Sequence, residues 1–403
     1  MFFGIVLIFL SPFIFAQNMG YKIEDNKGVA VIPFQKYNNL IIVEVRLNGI
    51  LPLNFILDTG VKSVIITRKE FSDMLQVNYS MKLALQTPGN KEIIAYVTQN
   101  LKLDMPGVSG RGTGAFVLEE DYLNINNILG IEIHGIIGYD IFKDFIVEIH
   151  YPEEHLILYN HDEYRRGWFY YPVDIKIENE KPYLFANIID DLNDTTQVKL
   201  LVDTGASHAL LLLTDSTETF NLPNKMIEND LGVGLGGLIH GELGRLEGLT
   251  FDNFAFEEVL TSFIAREEYA DSLNLNDRNG TLGGEILSRF RVVFDYKNEK
   301  MYLRKISKFK ESFEYNMSGM DIKAKGDKLN EFVIFKVKEG SAADEAGVKE
   351  GDQIIKINGM HHSTLKLNEV FLLLTRKEGK KIRLKLLRDN KEIKIKFKLR
   401  RII

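Results

Sequence analysis

The chain has 403 residues, 45% of them hydrophobic and 26% charged, which excludes wholesale disorder and exceeds what one hydrophobic core usually holds. It contains no cysteine, so a disulfide scaffold, a thiol nucleophile and a Cys-ligated metal are all excluded. The formal net charge of −6 is uneven, because residues 315–403 hold 21 Lys and Arg against 12 Asp and Glu; a basic module follows an acidic remainder.

The first segment, MFFGIVLIFLSPFIFAQN, is apolar from Phe2 to Phe15 and ends in Ala16 before Gln17-Asn18. That length suits the core of a secretory signal peptide and falls short of a bilayer span, although no Lys or Arg precedes it. Residues 1–16 are expected to be a signal peptide and the mature chain to be exported, periplasmic or extracellular. A buried N-terminal strand is the alternative. No later stretch is apolar enough to span a membrane.

Beyond it the chain reads as short strands. NLIIVEVRLNG (Asn39 to Gly49) and KPYLFANIIDD (Lys181 to Asp191) are β-branched and aromatic, punctuated by Gly, Asn and Asp. Two apolar runs each carry one carboxylate: ILDTGVKSVIIT, Ile56 to Thr67, holds Asp58, and LLVDTGASHALLLL, Leu200 to Leu213, holds Asp203. The same offset of 145 residues carries HGIIGYDIFKDFIVEIHY, ending at Tyr151, onto GTLGGEILSRFRVVFDY, ending at Tyr296. Gly138 then falls on Gly283, Phe145 on Phe290 and Tyr151 on Tyr296. Helical patterning is confined to short stretches after Gly138 and Gly284. The repeat predicts two homologous, mainly β halves, residues 20–165 and 166–308.

Two carboxylates about 3 Å apart cannot both ionise, so they share a proton, and such a pair can act as base and acid at once. Apolar flanks desolvate the pair, and Thr and Gly allow a tight turn whose hydroxyl and N–H groups orient it. The downstream glycine leaves room for that turn. One Asp from each half would build the site at a pseudo-twofold axis.

On these motifs, LDTG and VDTG with their downstream glycines, residues 20–308 resemble the aspartic proteases, specifically bacterial retropepsin-like proteins with two such lobes in one chain. The resemblance implies two homologous acid-protease-type β-barrel lobes forming a cleft, with Asp58 and Asp203 catalytic around one water. Thr59 and Thr204 would make interlocking hydroxyl contacts, supported by the Gly60 and Gly205 N–H groups. No cofactor or metal is implied, and no oligomer is required. Pepsin-like enzymes place Ser or Thr directly after DTG, whereas Val61 and Ala206 stand here; without those donors the dyad should titrate higher and the pH optimum be less acidic. Lys62, beside the first motif, is expected to point to solvent. The glycine-rich LGVGLGGLIHG, Leu231 to Gly241, is a candidate substrate flap with Gly234 and Gly236. Its first-half counterpart is QTPGNKEIIAY, with Gly89 and Tyr96.

Other signals carry less. Gly232, Gly234 and Gly237 fit G-x-G-x-x-G, but KMIEND precedes them and Gly241 and Gly244 follow, so the strand–loop–helix context of a nucleotide site is missing. His208 follows Ser207 without a G-x-S-x-G turn and is expected to pack or hydrogen-bond locally. His361-His362 lacks further ligands at metal spacing and is expected in a turn.

The last ninety residues change pattern. EFVIFKVKEGSAADEAGVKEGDQIIKINGMH, Glu331 to His361, resembles the PDZ domain of bacterial exported proteases, here residues 315–403. The resemblance implies a groove for a peptide C-terminus, with Ser318, Gly319, Met320 and Ile322 on its loop-and-strand wall and a helix from Leu367 to Thr375 opposite. The basic KIRLKLLRDNKEIKIKFKLRR from Lys381 alternates charged and apolar residues. It is expected to form paired strands with one solvated face, and no nucleic-acid partner is expected. The functional expectation is an aspartic-type endopeptidase acting on polypeptides, its PDZ domain binding substrate or partner C-termini. The alternatives are an inactive, protease-like peptide-binding adaptor and an assembly protein in which PDZ contacts dominate.

Overall fold

The computed structural model describes residues 20–86, 92–214, 220–234, 237–266 and 277–403. Strands dominate, and among the described residues the longest helix is Leu367–Leu374. No helix there is long and apolar enough to cross a membrane.

The 145-residue repeat is a repeat of connections. In the first half, Leu51–Leu57 pairs antiparallel with Leu40–Leu47 and parallel with Gly135–Ile137. Gly135–Ile137 pairs antiparallel with Val64–Ile66, which runs parallel to Val108–Leu118. The second half copies each step. Thr195–Val202 pairs antiparallel with Lys181–Ile189 and parallel with Gly280–Leu282. Gly280–Leu282 pairs antiparallel with Leu210–Thr214, parallel in turn to Phe254–Ala265. Each half also carries a long hairpin: Tyr79–Gln86 with Glu92–Met105, and Met226–Gly234 with Gly237–Phe251.

The second half keeps an eight-stranded sheet of its own but gives three strands to the sheet of the first. Phe290–Asp295, Lys300–Lys305 and Tyr171–Asp174 extend the first-half sheet through Ile146–His150, with Val147 opposite Phe294. All five residues of Ile146–His150 are buried, as are five of the six in Phe290–Asp295. Strands buried on both faces belong in the middle of a sheet, not at its edge. One apolar core accordingly runs through both halves, and a second fills residues 317–399. Around that second core wrap Met320–Lys325, Glu331–Val337, Gln353–Ile357, Lys381–Arg388 and Lys391–Lys398, with Leu367–Leu374 packed on them. The last two strands form the expected hairpin, its lysines alternating with buried Ile382, Leu384 and Leu386. Asp352, buried within this module, is held by both Nε and Nη2 of Arg388, at 2.6 and 2.7 Å.

Candidate active site

Each Asp-Thr-Gly turn ends a buried strand. The Asp58 N–H donates to Ile137 O at 2.8 Å and the Asp203 N–H to Leu282 O at 2.9 Å, so the downstream repeat fixes both turns. A Cβ on Gly138 or Gly283 would overlap a carbonyl oxygen of the turn above, Asp58 O or His208 O. That is the room the sequence pattern leaves.

The two turns then lock onto each other. The Thr59 N–H donates to Thr204 Oγ1 at 3.1 Å, and the Thr204 N–H donates to Thr59 Oγ1 at 3.0 Å. Each hydroxyl donates onward across the axis, Thr59 Oγ1 to Val202 O at 2.6 Å and Thr204 Oγ1 to Leu57 O at 2.8 Å. Both threonines are fully buried, where an unmade hydrogen bond is costly. This holds the aspartates face to face. The Gly60 N–H donates to Asp58 Oδ1 at 2.6 Å and the Gly205 N–H to Asp203 Oδ1 at 2.7 Å. The Asp58 carboxyl lies so close over Gly205 that any Cβ there would overlap it.

Burial, the neighbouring Asp203 charge and a side-chain hydrogen bond with Asp203 push the Asp58 pKa well above the ordinary carboxylate value. The Gly60 N–H and the Lys181 ammonium work against that rise. Tyr296 is buried beside the pair, and burial and both aspartate charges hold its hydroxyl in the neutral form. Its ring stacks on Phe142 at 5.2 Å. The pair can hold one proton between two oriented carboxyls, which suits activation of a water and protonation of a leaving group.

Lys181 and Tyr296 were not singled out from sequence. Burial lowers the Lys181 pKa, while the Asp203 and Asp58 charges favour its cation. It begins strand Lys181–Ile189, 22 residues before Asp203, and no motif connects them. Tyr296 did carry a signal, since the repeat pairs it with Tyr151. Lys62 is exposed, as expected, and forms an ion pair with Glu180 at 3.7 Å. Both line a cavity of about 330 Å³ with Ser63, Thr98, Phe116 and Tyr139, which neither aspartate lines. His208 packs locally as expected, but without a hydrogen bond at Nε2; burial lowers its pKa to about 4, so it is neutral.

Of the flap candidates, Gly89 and Gly236 lie outside the described residues. Gly234 pairs with Gly237 at the end of its hairpin. Tyr96 sits on Glu92–Met105, donates to Glu119 Oε1 at 3.0 Å and lies 5.0 Å from the Tyr79 ring. In the C-terminal module, Met320 and Ile322 are buried in its core and Gly319 adopts φ +81°. Ser318 is buried, its N–H and hydroxyl donating to Asn316 Oδ1 at 3.0 and 2.6 Å, while its Oγ accepts the Met320 N–H at 3.1 Å. The His361 and His362 rings lie 4.4 Å apart, tilted by 34°, where strand Met360–His361 passes into the 3-10 turn His362–Thr364.

A family profile described as an aspartyl protease matches residues 43–141, and a PDZ domain profile matches residues 306–387. The first match includes Asp58 but not Asp203. A carboxy-terminal processing protease, CtpA of Bacillus subtilis (strain 168), is 26% identical over 134 residues, 33% of this chain and 27% of that protein. The chain thus matches only about a quarter of that relative's length.

Proposed function

In a chain that combines an aspartyl protease domain with a PDZ domain, we propose that Asp58 and Asp203 form the catalytic dyad of an aspartic-type endopeptidase. The observation that carries this reading is the reciprocal Thr59–Thr204 hydrogen bonding, which sets the two carboxyls against each other with a shared hydrogen bond. Two lobes, corresponding to the two repeats, would flank a cleft over that pair.

Asp58, whose pKa is raised, holds the shared proton at rest; Asp203 is the base. Asp203 takes a proton from water as its oxygen attacks the peptide carbonyl carbon, while the Asp58 proton moves to the carbonyl oxygen. Collapse of the tetrahedral intermediate passes a proton to the departing amine nitrogen, and the carboxyls exchange roles. The hairpin that turns after Gly234 and the hairpin of Tyr79–Gln86 with Glu92–Met105 would cover the substrate, with Tyr96 on the latter. The PDZ domain would hold substrate or partner C-termini on the wall built from Ser318, Gly319, Met320 and Ile322. Residues 1–16 would direct export to the periplasm or exterior.

The test is cleavage of a fluorogenic peptide mixture across pH by the wild type, Asp58→Asn and Asp203→Asn. Each substitution should abolish turnover, and the wild-type optimum should lie above about pH 3, where pepsin's lower and upper dyad values bracket activity. Equal residual cleavage by all three would discard the dyad and favour a peptide-binding adaptor.

A further inference from the structure

The C-terminal module is fastened to both halves, and one fastening lies in its peptide groove. The walls of that groove are Met320–Lys325 and Leu367–Leu374. Its inner end is marked by the Met317 N–H, which donates to Leu374 O at 3.0 Å. Its outer end is occupied by the chain itself. Helix Ile125–Leu129 of the first half lies against Met320–Lys325. Gly130, which ends that helix at φ +69°, sits so close that a Cβ there would stand 2.6 Å from Leu367 Cβ and 3.5 Å from Ala324 Cβ. Ala324 and Leu367 are both fully buried. Beside them, the Lys366 ammonium lies 5.5 Å over the Tyr37 ring, and Tyr37 shares a cluster with Leu129 and Ile56. At the inner end, the Met320 N–H is already given to Ser318 Oγ.

We propose that residues 125–130 are an intramolecular occupant of the PDZ groove, and that a peptide C-terminus reaching past Ala324 binds only by displacing them. A peptide anchored at the Ser318–Met320 loop and added as a strand advances about 3.3 Å per residue. Its last few residues fit between loop and helix, and those about four back meet Gly130. Short C-terminal peptides therefore bind without competition; longer ones compete with the latch. The latch rests on the strand that carries Asp58. Leu129 packs in the cluster with Ile56, and Ile56 pairs with Ile136 directly below the Asp58 turn. Regulation of the proposed site by such peptides rests on the peptidase reading. The competition itself does not.

The experiment uses the full Asp203→Asn chain, so that bound peptide is not cleaved. The probes are dansylated peptides of about three and about eight residues with free carboxylates, ending in Val, Leu, Ile, Phe or Ala. Binding is read by anisotropy and the latch by amide exchange over residues 124–131. Gly130→Asn keeps a residue that tolerates left-handed φ but crowds Leu367, and Lys366→Ala loosens the dock from the PDZ side. If the latch is closed in roughly nine molecules of ten, Gly130→Asn binds the long peptides about tenfold tighter and the short ones unchanged. Lys366→Ala shifts in the same direction by less, and long peptides raise exchange at 125–130. Equal long-peptide affinity in parent and both variants, unchanged exchange on binding, or no binding to any of the three overturns the proposal. Lys366→Ala carries the test should Gly130→Asn fail to fold. Loss of peptidase activity in the wild type with competition intact would overturn the catalytic reading alone.

Discussion

At the scale of single residues, the site is set by what surrounds two carboxyls. Burial and Asp203 raise the Asp58 pKa, and Lys181 is the named cation that opposes the rise. A dyad that shares one proton loses activity as rising pH removes that proton, so the alkaline limb follows the upper dyad value. Lys181→Met takes away a cation that favours ionised Asp58, so that value must rise. The alkaline limb of the kcat profile should move to higher pH, and an unmoved or lowered limb would put Lys181 outside the dyad's field. Asp58 and Asp203 are legible in sequence because a carboxylate inside an apolar run is costly and needs a reason. Lys181 is not, because lysines beginning strands are common and only folding brings this one near the dyad.

At the scale of elements, the two turns are one unit built from two distant pieces of chain. Thr59→Val removes the acceptor of the Thr204 N–H and the donor to Val202 O, leaving buried backbone groups unmade at about 1–3 kcal/mol each. Thr204→Val does the same in mirror image. Because both substitutions break the same network, the double variant should cost less than the sum of the singles, with a coupling of about 0.5–3 kcal/mol in denaturant unfolding. Strict additivity would mean the two turns are fixed independently. The hydroxyls were expected from the motif, but their crossed pairing with Leu57 O and Val202 O depends on strand ends that only tertiary structure aligns. The continuous central sheet was likewise hidden, because two apolar strands that pair with each other look the same as two that pair within their own halves.

At the scale of the molecule, the C-terminal module braces the second-half hairpin as well as the first-half latch. Lys336 Nζ lies 3.1 Å from Asp230 Oδ2, and Lys338 Nζ donates to Asn229 Oδ1 at 2.8 Å and to Glu228 O at 3.0 Å. Tyr315 adds a hydroxyl to Asn229 Oδ1 at 2.8 Å. Replacing Lys336 and Lys338 together by Ala should raise amide exchange along Met226–Gly234 while leaving the module's own strands protected. Unchanged exchange along that hairpin would show that its order is internal. The excess of Lys and Arg in residues 315–403 was visible as a solvated or anion-seeking surface. Part of it proves to be the contact that ties the module to Asp230, Asn229 and the Glu228 carbonyl of the second half.

The sequence by itself determined the local rules: which runs are strands, where two Asp-Thr-Gly turns interrupt them, that the pattern repeats at 145 residues, and that a different module follows. Those features are written in residue type and spacing, which local propensity and hydrophobic period read directly. Tertiary structure alone decided that Thr59 meets Thr204, that Lys181 and Tyr296 stand by the aspartates, and that Gly130 meets Ala324 and Leu367, more than 190 residues away. These are contacts between surfaces whose residues are unremarkable in their own segments, and burial selects them only once the sheets have packed.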